Sequence, residues 1–176
     1  PFSSNEHAVP AFEGVHPVFK TFKDAILIVS ADEKAVSSRA GHALMEGNPF
    51  AESRYQQAAN HQSALVAAMQ SGDIPAFGEI IENEALTLHA LMMCSTPSYM
   101  LMLPNTLKII DLIKTYRAEN NVPLYYTLDA GPNVHLLYPE ENAEEVELFI
   151  GKMLLPHCEQ QRVIFDKVGS GPVRLK

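Results

Sequence analysis

The run LYYTLDAGPNVHLLYP at residues 124–139 constrains the fold of this chain more than any other. Two apolar, β-rich stretches, 124–128 and 134–138, meet there across a turn built from Gly131, Pro132 and Asn133. β-branched and aromatic side chains suit a pleated, half-buried surface, and Gly, Pro and Asn supply turn geometry. A β-hairpin, or a strand, tight loop and strand, is therefore expected. At the end of its first strand stands Asp129. A carboxylate in that position is costly to desolvate unless something hydrogen-bonds or pairs with it, and the glycine beside it lets another group approach closely. On this stretch alone two roles are open to Asp129: a cap for its own turn, or a group that acts on a ligand.

The rest of the chain reads as scaffold around that turn. Residues 1–17 mix Ser, Asn, His, Gly and three prolines without apolar periodicity, an extended lead-in or linker to a domain of residues 18–176. Residues 23–30 (KDAILIVS) form a first strand, and a charged loop then leads to a short helix from Ser37 to about Glu46, closed by Gly47 and Pro49. A helix over 52–70 offers Ala58, Leu65, Ala68 and Met69 to a core. Asp73 caps the next helix, with Pro75 in its first turn and Phe77, Ile80, Ile81, Ala85, Leu88, Leu91 and Met92 recurring at three- and four-residue steps. An ordered loop covers 94–103. Asn105 or Thr106 caps a helix to about Glu119, with Leu107, Ile110, Ile113, Lys114 and Arg117 on its successive turns. After the hairpin come an acid-led helix over 140–155 and a last strand over 161–167, with residues 169–172 opening a tail able to add one more. Strand, helices, hairpin, helix and strand in that order predict a two-layer α+β domain, helices packed on a mostly antiparallel sheet.

Composition narrows the function classes. A chain of 176 residues is long enough for one domain to bury about two-thirds of its unfolded surface without staples. With 47% hydrophobic and 19% charged residues it has too much apolar content for disorder. The net charge of −8 argues against nucleic acid or an anionic membrane as the main partner, so an anionic ligand needs a local basic site. Apolar runs such as 25–29 fall far short of the ~20 residues of a membrane helix. Cys94 and Cys158 lack CxxC spacing, and free thiols in a reducing, cytoplasmic compartment are expected. The start at Pro1 without Met fits a processed protein or a piece of a longer one.

Ser38-Arg39 is the second candidate site. A serine at a helix start and an adjacent guanidinium present orphan N–H groups, a hydroxyl and positive charge to one point, a receptor for phosphate or carboxylate. The plainer alternative is an N-cap followed by a solvated arginine. None of His42, His61, His89, His135 or His157 stands in an HExxH or HxH arrangement, so no protein-bound metal is expected. Glu79, Glu82 and Glu84 read as a solvated helix face, and the methionines at 92, 93, 100 and 102 as core filler. GxSxG, Walker A and GxGxxG motifs are absent.

Taken together, YYTLDAGPNVHLLYP at 125–139, SSRAG at 37–41, ENEALTLHA at 82–90 and STPS at 95–98 resemble mevalonate diphosphate decarboxylase of the galacto-, homoserine, mevalonate and phosphomevalonate kinase superfamily. DAGPN is the most specific of these, since the related kinases carry a glycine-rich turn without this Asp. The resemblance runs from about Pro17 onward and implies a C-terminal, substrate-binding domain of ferredoxin-like α+β fold. The N-terminal ATP-binding domain, with its Pro-x-x-x-Gly-x-x-Ser-Ser phosphate loop, has no counterpart in the sequence. By this resemblance Asp129 corresponds to the catalytic base or orienter at the tertiary hydroxyl of mevalonate 5-diphosphate, Arg39 to the arginine that holds the substrate, and Ser38 to the serine at its phosphoryl groups. ATP and Mg²⁺ are implied for the full-length enzyme, and a homodimer is common in the family. Phosphorylation and loss of phosphate and CO₂ would give isopentenyl diphosphate, and the fragment alone is expected to be inactive. Left open are a mevalonate monophosphate decarboxylase, a related small-molecule kinase, and a non-catalytic metabolite-binding domain.

Overall fold

The computed structural model describes residues 14–32 and 46–169. The short helix expected to open at Ser37, and with it Ser38 and Arg39, lies outside the described residues, as do most of the lead-in and the end of the tail.

Among the described residues the strands and α-helices follow in the order β1 (Lys23–Leu27), α1 (Ala51–Ser71), α2 (Ile74–Met93), α3 (Pro104–Asn120), β2 (Tyr125–Leu128), β3 (Val134–Tyr138), α4 (Ala143–Phe149) and β4 (Val163–Lys167). The sheet order is β2-β3-β1-β4 and every pairing is antiparallel, so the hairpin's second strand lies against β1 and the last strand closes the far edge. This is the β-α-β-β-α-β split arrangement of a ferredoxin-like domain, with extra helix in the first crossover. The two-layer α+β expectation holds.

The strand period of two decides which face is covered. Ala25, Leu27, Tyr126, Leu128, Val134, Leu136 and Tyr138 share one face and meet Ile109, Ile110 and Ile113 of α3 and Val146 and Phe149 of α4 in one buried cluster. Fully burying each Leu, Ile or Val is worth about 1.5–3 kcal/mol, so this face is the main source of stability. Tyr116 stacks on Phe149 with ring centroids 3.9 Å apart, tying α3 to α4. A second cluster joins Phe19, Phe22 and Phe77, which pack ring to ring, with Ala68, Ile81 and Tyr125, and seats α1 and α2 beside β2.

Several local expectations are corrected. Helix α3 begins at Pro104, and neither Asn105 nor Thr106 is its N-cap: Thr106 sits one turn in and its hydroxyl accepts from the Leu103 N–H. The inner face of α3 is Thr106, Ile109, Ile110 and Ile113, while Leu107 is exposed. Helix α4 is α-helical only to Phe149 and widens into a π-type turn, Ile150–Leu154, which sends both Ile150 and Leu154 into the core. Gln160 and Gln161 take left-handed backbone angles, so β4 starts only at Val163. Of the four methionines, Met92 is buried and Met102 packs against the core, whereas Met93 and Met100 are exposed.

Candidate active site

Asp129 follows the last residue of β2 and its side chain opens to solvent. The turn it begins is fastened from three directions. His89, near the C-terminal end of α2, donates from Nε2 to the Asp129 carbonyl at 3.1 Å, and the Gly131 N–H donates to that carbonyl at 2.8 Å. Thr106, fully buried, donates its hydroxyl proton to the Pro132 carbonyl at 2.7 Å. Asn133 Oδ1 accepts from the N–H groups of Val29 (2.9 Å) and Ser30 (3.1 Å), just beyond β1. Each bond satisfies a group that would otherwise be buried or half-buried without a partner.

His89 is only 2% exposed, and burial pushes its pKa below the ordinary value, against an opposing pull from Asp129. A carbonyl can only accept, so Nε2 carries the proton of the neutral ring. His135 behaves oppositely. It projects from β3 on the face opposite the main core, where Nδ1 lies 2.9 Å from Asp24 Oδ2; that bond raises its pKa, burial opposes, and the charges of Asp24 and Asp129 raise it further.

The start of β2 is held by a different device. Glu82 is not on a solvated face as the sequence suggests: it is 7% exposed and receives Arg117 through Nη1–Oε1 at 2.6 Å and Nη2–Oε2 at 3.1 Å. Glu82 Oε1 also accepts from the Tyr126 N–H, and Arg117 donates to the Leu124 carbonyl. Burial lowers the pKa of Arg117, and Glu82 more than compensates, so the guanidinium stays charged. Glu84 likewise is engaged, by Arg54 and His61 across to α1; burial raises its pKa but those partners bring it below the usual value. Of this row only Glu79 lies open to solvent.

Of the three sequence-predicted site residues, Asp129 is placed on an exposed and multiply braced turn, while Ser38 and Arg39 fall outside the described residues. His89, Thr106, Asn133 and the Glu82–Arg117 pair were not read as parts of the site. A signal existed for His89, since it continues the buried stripe Phe77, Ile81, Ala85 of α2 and a histidine there needs a partner. Among the described residues no group of three or more His, Cys, Asp or Glu side chains is placed to hold a metal ion. Cys94, exposed, and Cys158, buried with its pKa pushed up to about 11 by burial, are free thiols. No described helix is long and apolar enough to cross a membrane.

Comparison with known proteins gives this turn a context. Diphosphomevalonate decarboxylase of Candida albicans is 26% identical in an alignment of 167 positions that covers 86% of this chain and 46% of that protein. Phosphomevalonate decarboxylase of Haloferax volcanii is 30% identical over 80 residues, 46% of this chain and 25% of that protein. A solved structure of "MDDEF in complex with MVAPP, AMPPCP and Magnesium" superposes with a TM-score of 0.76 at 26% identity, over 90% of this chain and 46% of that one. The chain spans about half the length of the curated relatives it matches. The family model described as "Mevalonate 5-diphosphate decarboxylase C-terminal domain" matches residues 25–170, and the chain belongs to that family.

Proposed function

We propose that this chain is the substrate-side, C-terminal half of an ATP-dependent mevalonate 5-diphosphate decarboxylase of the cytoplasm, with Asp129 as the group that meets the tertiary hydroxyl. The observation that carries the reading is an exposed carboxylate on a turn whose backbone is fixed by α2, α3 and the residues after β1. General acid–base chemistry needs such a carboxylate held within hydrogen-bond reach of the proton it accepts, and rigid support is what makes that reach reproducible.

In the proposed reaction Asp129 takes up or orients the hydroxyl proton as the hydroxyl oxygen attacks the terminal phosphoryl group of ATP, releasing ADP. The C–O bond to the newly phosphorylated oxygen then breaks and inorganic phosphate leaves with that electron pair; the bond to the carboxylate carbon supplies the electron pair of the new double bond, and CO₂ and isopentenyl diphosphate are released. Ser38 and Arg39 are proposed to hold the substrate's anionic groups, by a hydroxyl and a bidentate guanidinium. ATP and Mg²⁺ are assigned to the part of the enzyme that pairs with this chain, in keeping with the ligands named for the superposed structure. This chain alone would then have no turnover, and homodimerisation of the complete enzyme is proposed from the family.

In the complete enzyme Asp129→Asn should lower kcat roughly 10²–10⁴-fold with substrate affinity largely kept. Near-normal CO₂ release by that variant removes Asp129 from the chemistry, and ATP-dependent CO₂ release by this chain alone defeats the assignment of halves. The match to the Haloferax volcanii protein favours one second reading, a phosphomevalonate decarboxylase. Comparing mevalonate mono- and diphosphate, with CO₂ followed separately from ADP, decides between them.

A further inference from the structure

Helix α2 and strand β2 run side by side and touch at three matched points. Gly78 receives the Tyr125 ring, Glu82 accepts from the Tyr126 N–H, and His89 donates to the Asp129 carbonyl. Contact thus advances eleven residues along the helix, from 78 to 89, while it advances four along the strand, from 125 to 129. At the ordinary rises these are roughly 16 Å of helix axis and roughly 13 Å of strand, so the two elements travel in the same direction and end together at Asp129.

On the proposed role of Asp129 as the reacting carboxylate, we propose that His89 is a positioning residue for it, setting the direction of the side chain through the peptide plane of the same residue. The Asp129 carbonyl takes two donors, His89 Nε2 and the Gly131 N–H. With that plane fixed, ψ of Asp129 and its Cα–Cβ vector have little room to turn, although the carboxylate itself is exposed. The anchor is rigid. His89 is buried on the apolar stripe of α2, and its Nε2 bond goes to the backbone of this one residue in the turn. A displacement of about 1 Å at a reacting group can lower a rate about 10²-fold, which is the scale on which such an anchor acts.

The test uses the complete enzyme with ATP and mevalonate diphosphate. His89→Phe should lower kcat about 10- to 100-fold while KM moves by less than about threefold, and His89→Gln, which keeps an N–H donor at similar reach, should recover most of the loss. Placed in an Asp129→Asn background, His89→Phe should cause no further loss, because it acts through Asp129. An unchanged kcat in a folded His89→Phe variant, or an equal loss in both backgrounds, overturns the proposal. Asp129→Asn alone separates the two layers: a crippled Asp129→Asn beside an active His89→Phe sinks only the positioning role, whereas an active Asp129→Asn sinks the reading of Asp129 and this proposal with it. Independently of any variant, ¹⁵N NMR of the wild-type enzyme should show His89 as the Nε2–H tautomer; the Nδ1–H tautomer overturns the bond on which the proposal stands.

Discussion

Arg117 and Glu82 meet fork to fork, Nη1 to Oε1 at 2.6 Å and Nη2 to Oε2 at 3.1 Å, and the guanidinium carbon lies 4.6 Å from the centre of the Tyr125 ring. One residue from α3, one from α2 and one from β2 are thus locked at the root of the hairpin. Removing one partner leaves the other charge buried and uncompensated, which costs far more than the pair itself contributes. Arg117→Met and Glu82→Gln should each lower the unfolding free energy of the protein by on the order of 3 kcal/mol, measured by urea titration. A loss under about 0.5 kcal/mol, typical of surface sites, would show that the pair is effectively solvated.

Asn133 joins the turn of Asp129 to the chain leaving β1, because its side-chain oxygen accepts from both Val29 and Ser30. Asn133→Ala strands two half-buried N–H groups at about 1–3 kcal/mol each if neither finds water, and it frees the turn. Asn133→Asp keeps an acceptor oxygen at the same reach. Thermal unfolding and CO₂ release in the complete enzyme should therefore rank wild type, Asp and Ala in that order for both stability and kcat. Equal stability for the Ala variant and wild type removes the linking role.

What the sequence made legible follows from how far apart the interacting residues stand. Hairpin alternation and the three- and four-residue steps of α2 are local, so the two hairpin strands and most of the inner face of α2 could be read directly. Glu82 with Arg117, His89 with Asp129 and Val29 with Asn133 are 35, 40 and 104 residues apart, and no local pattern tells which polar residue on a helix will meet which turn. Glu82 looked solvated because it stands between Glu79 and Glu84 in an acidic row, yet the helix period carries it onto the face of Ala85 and His89. Asp129 was legible because turn chemistry and a carboxylate coincide in one short run; its supports were not.

His135 and Asp24 give the opposite face of the sheet a pH dependence of definite sign. The Asp24 hydrogen bond raises the pKa of His135 above the ordinary 6.5, with burial opposing. The folded state therefore binds that proton more tightly than the unfolded chain. The stabilisation is fully present below about pH 6.5 and fades as pH rises through the folded pKa. His89, with its pKa lowered by burial, works the other way, losing stability as pH falls below 6.5. Asp24→Asn should isolate the first effect: its deficit in unfolding free energy against wild type should be larger near about pH 6 than near about pH 9. A deficit that stays constant across that range would mean the pair does not hold an imidazolium.

Gly78 and Gly151 are both glycines inside helical backbone, and the structure separates them. A Cβ at Gly78 would collide with the Tyr125 ring, a side chain that is itself buried and overlaid by Arg117, so it has no free direction in which to yield. At Gly151 an added Cβ meets nothing within 4 Å. Helix propensity alone favours Ala over Gly by about 1 kcal/mol at an interior site, so propensity predicts that both substitutions stabilise. Packing reverses that prediction at Gly78, where forcing a methyl group into a filled contact costs about 1–3 kcal/mol or more. Gly78→Ala should therefore lower the midpoint of chemical unfolding while Gly151→Ala leaves it unchanged or raises it. If Gly78→Ala proves as stable as wild type, α2 is free to shift against β2, and the side-by-side run of the two elements that ends at Asp129 is not rigid.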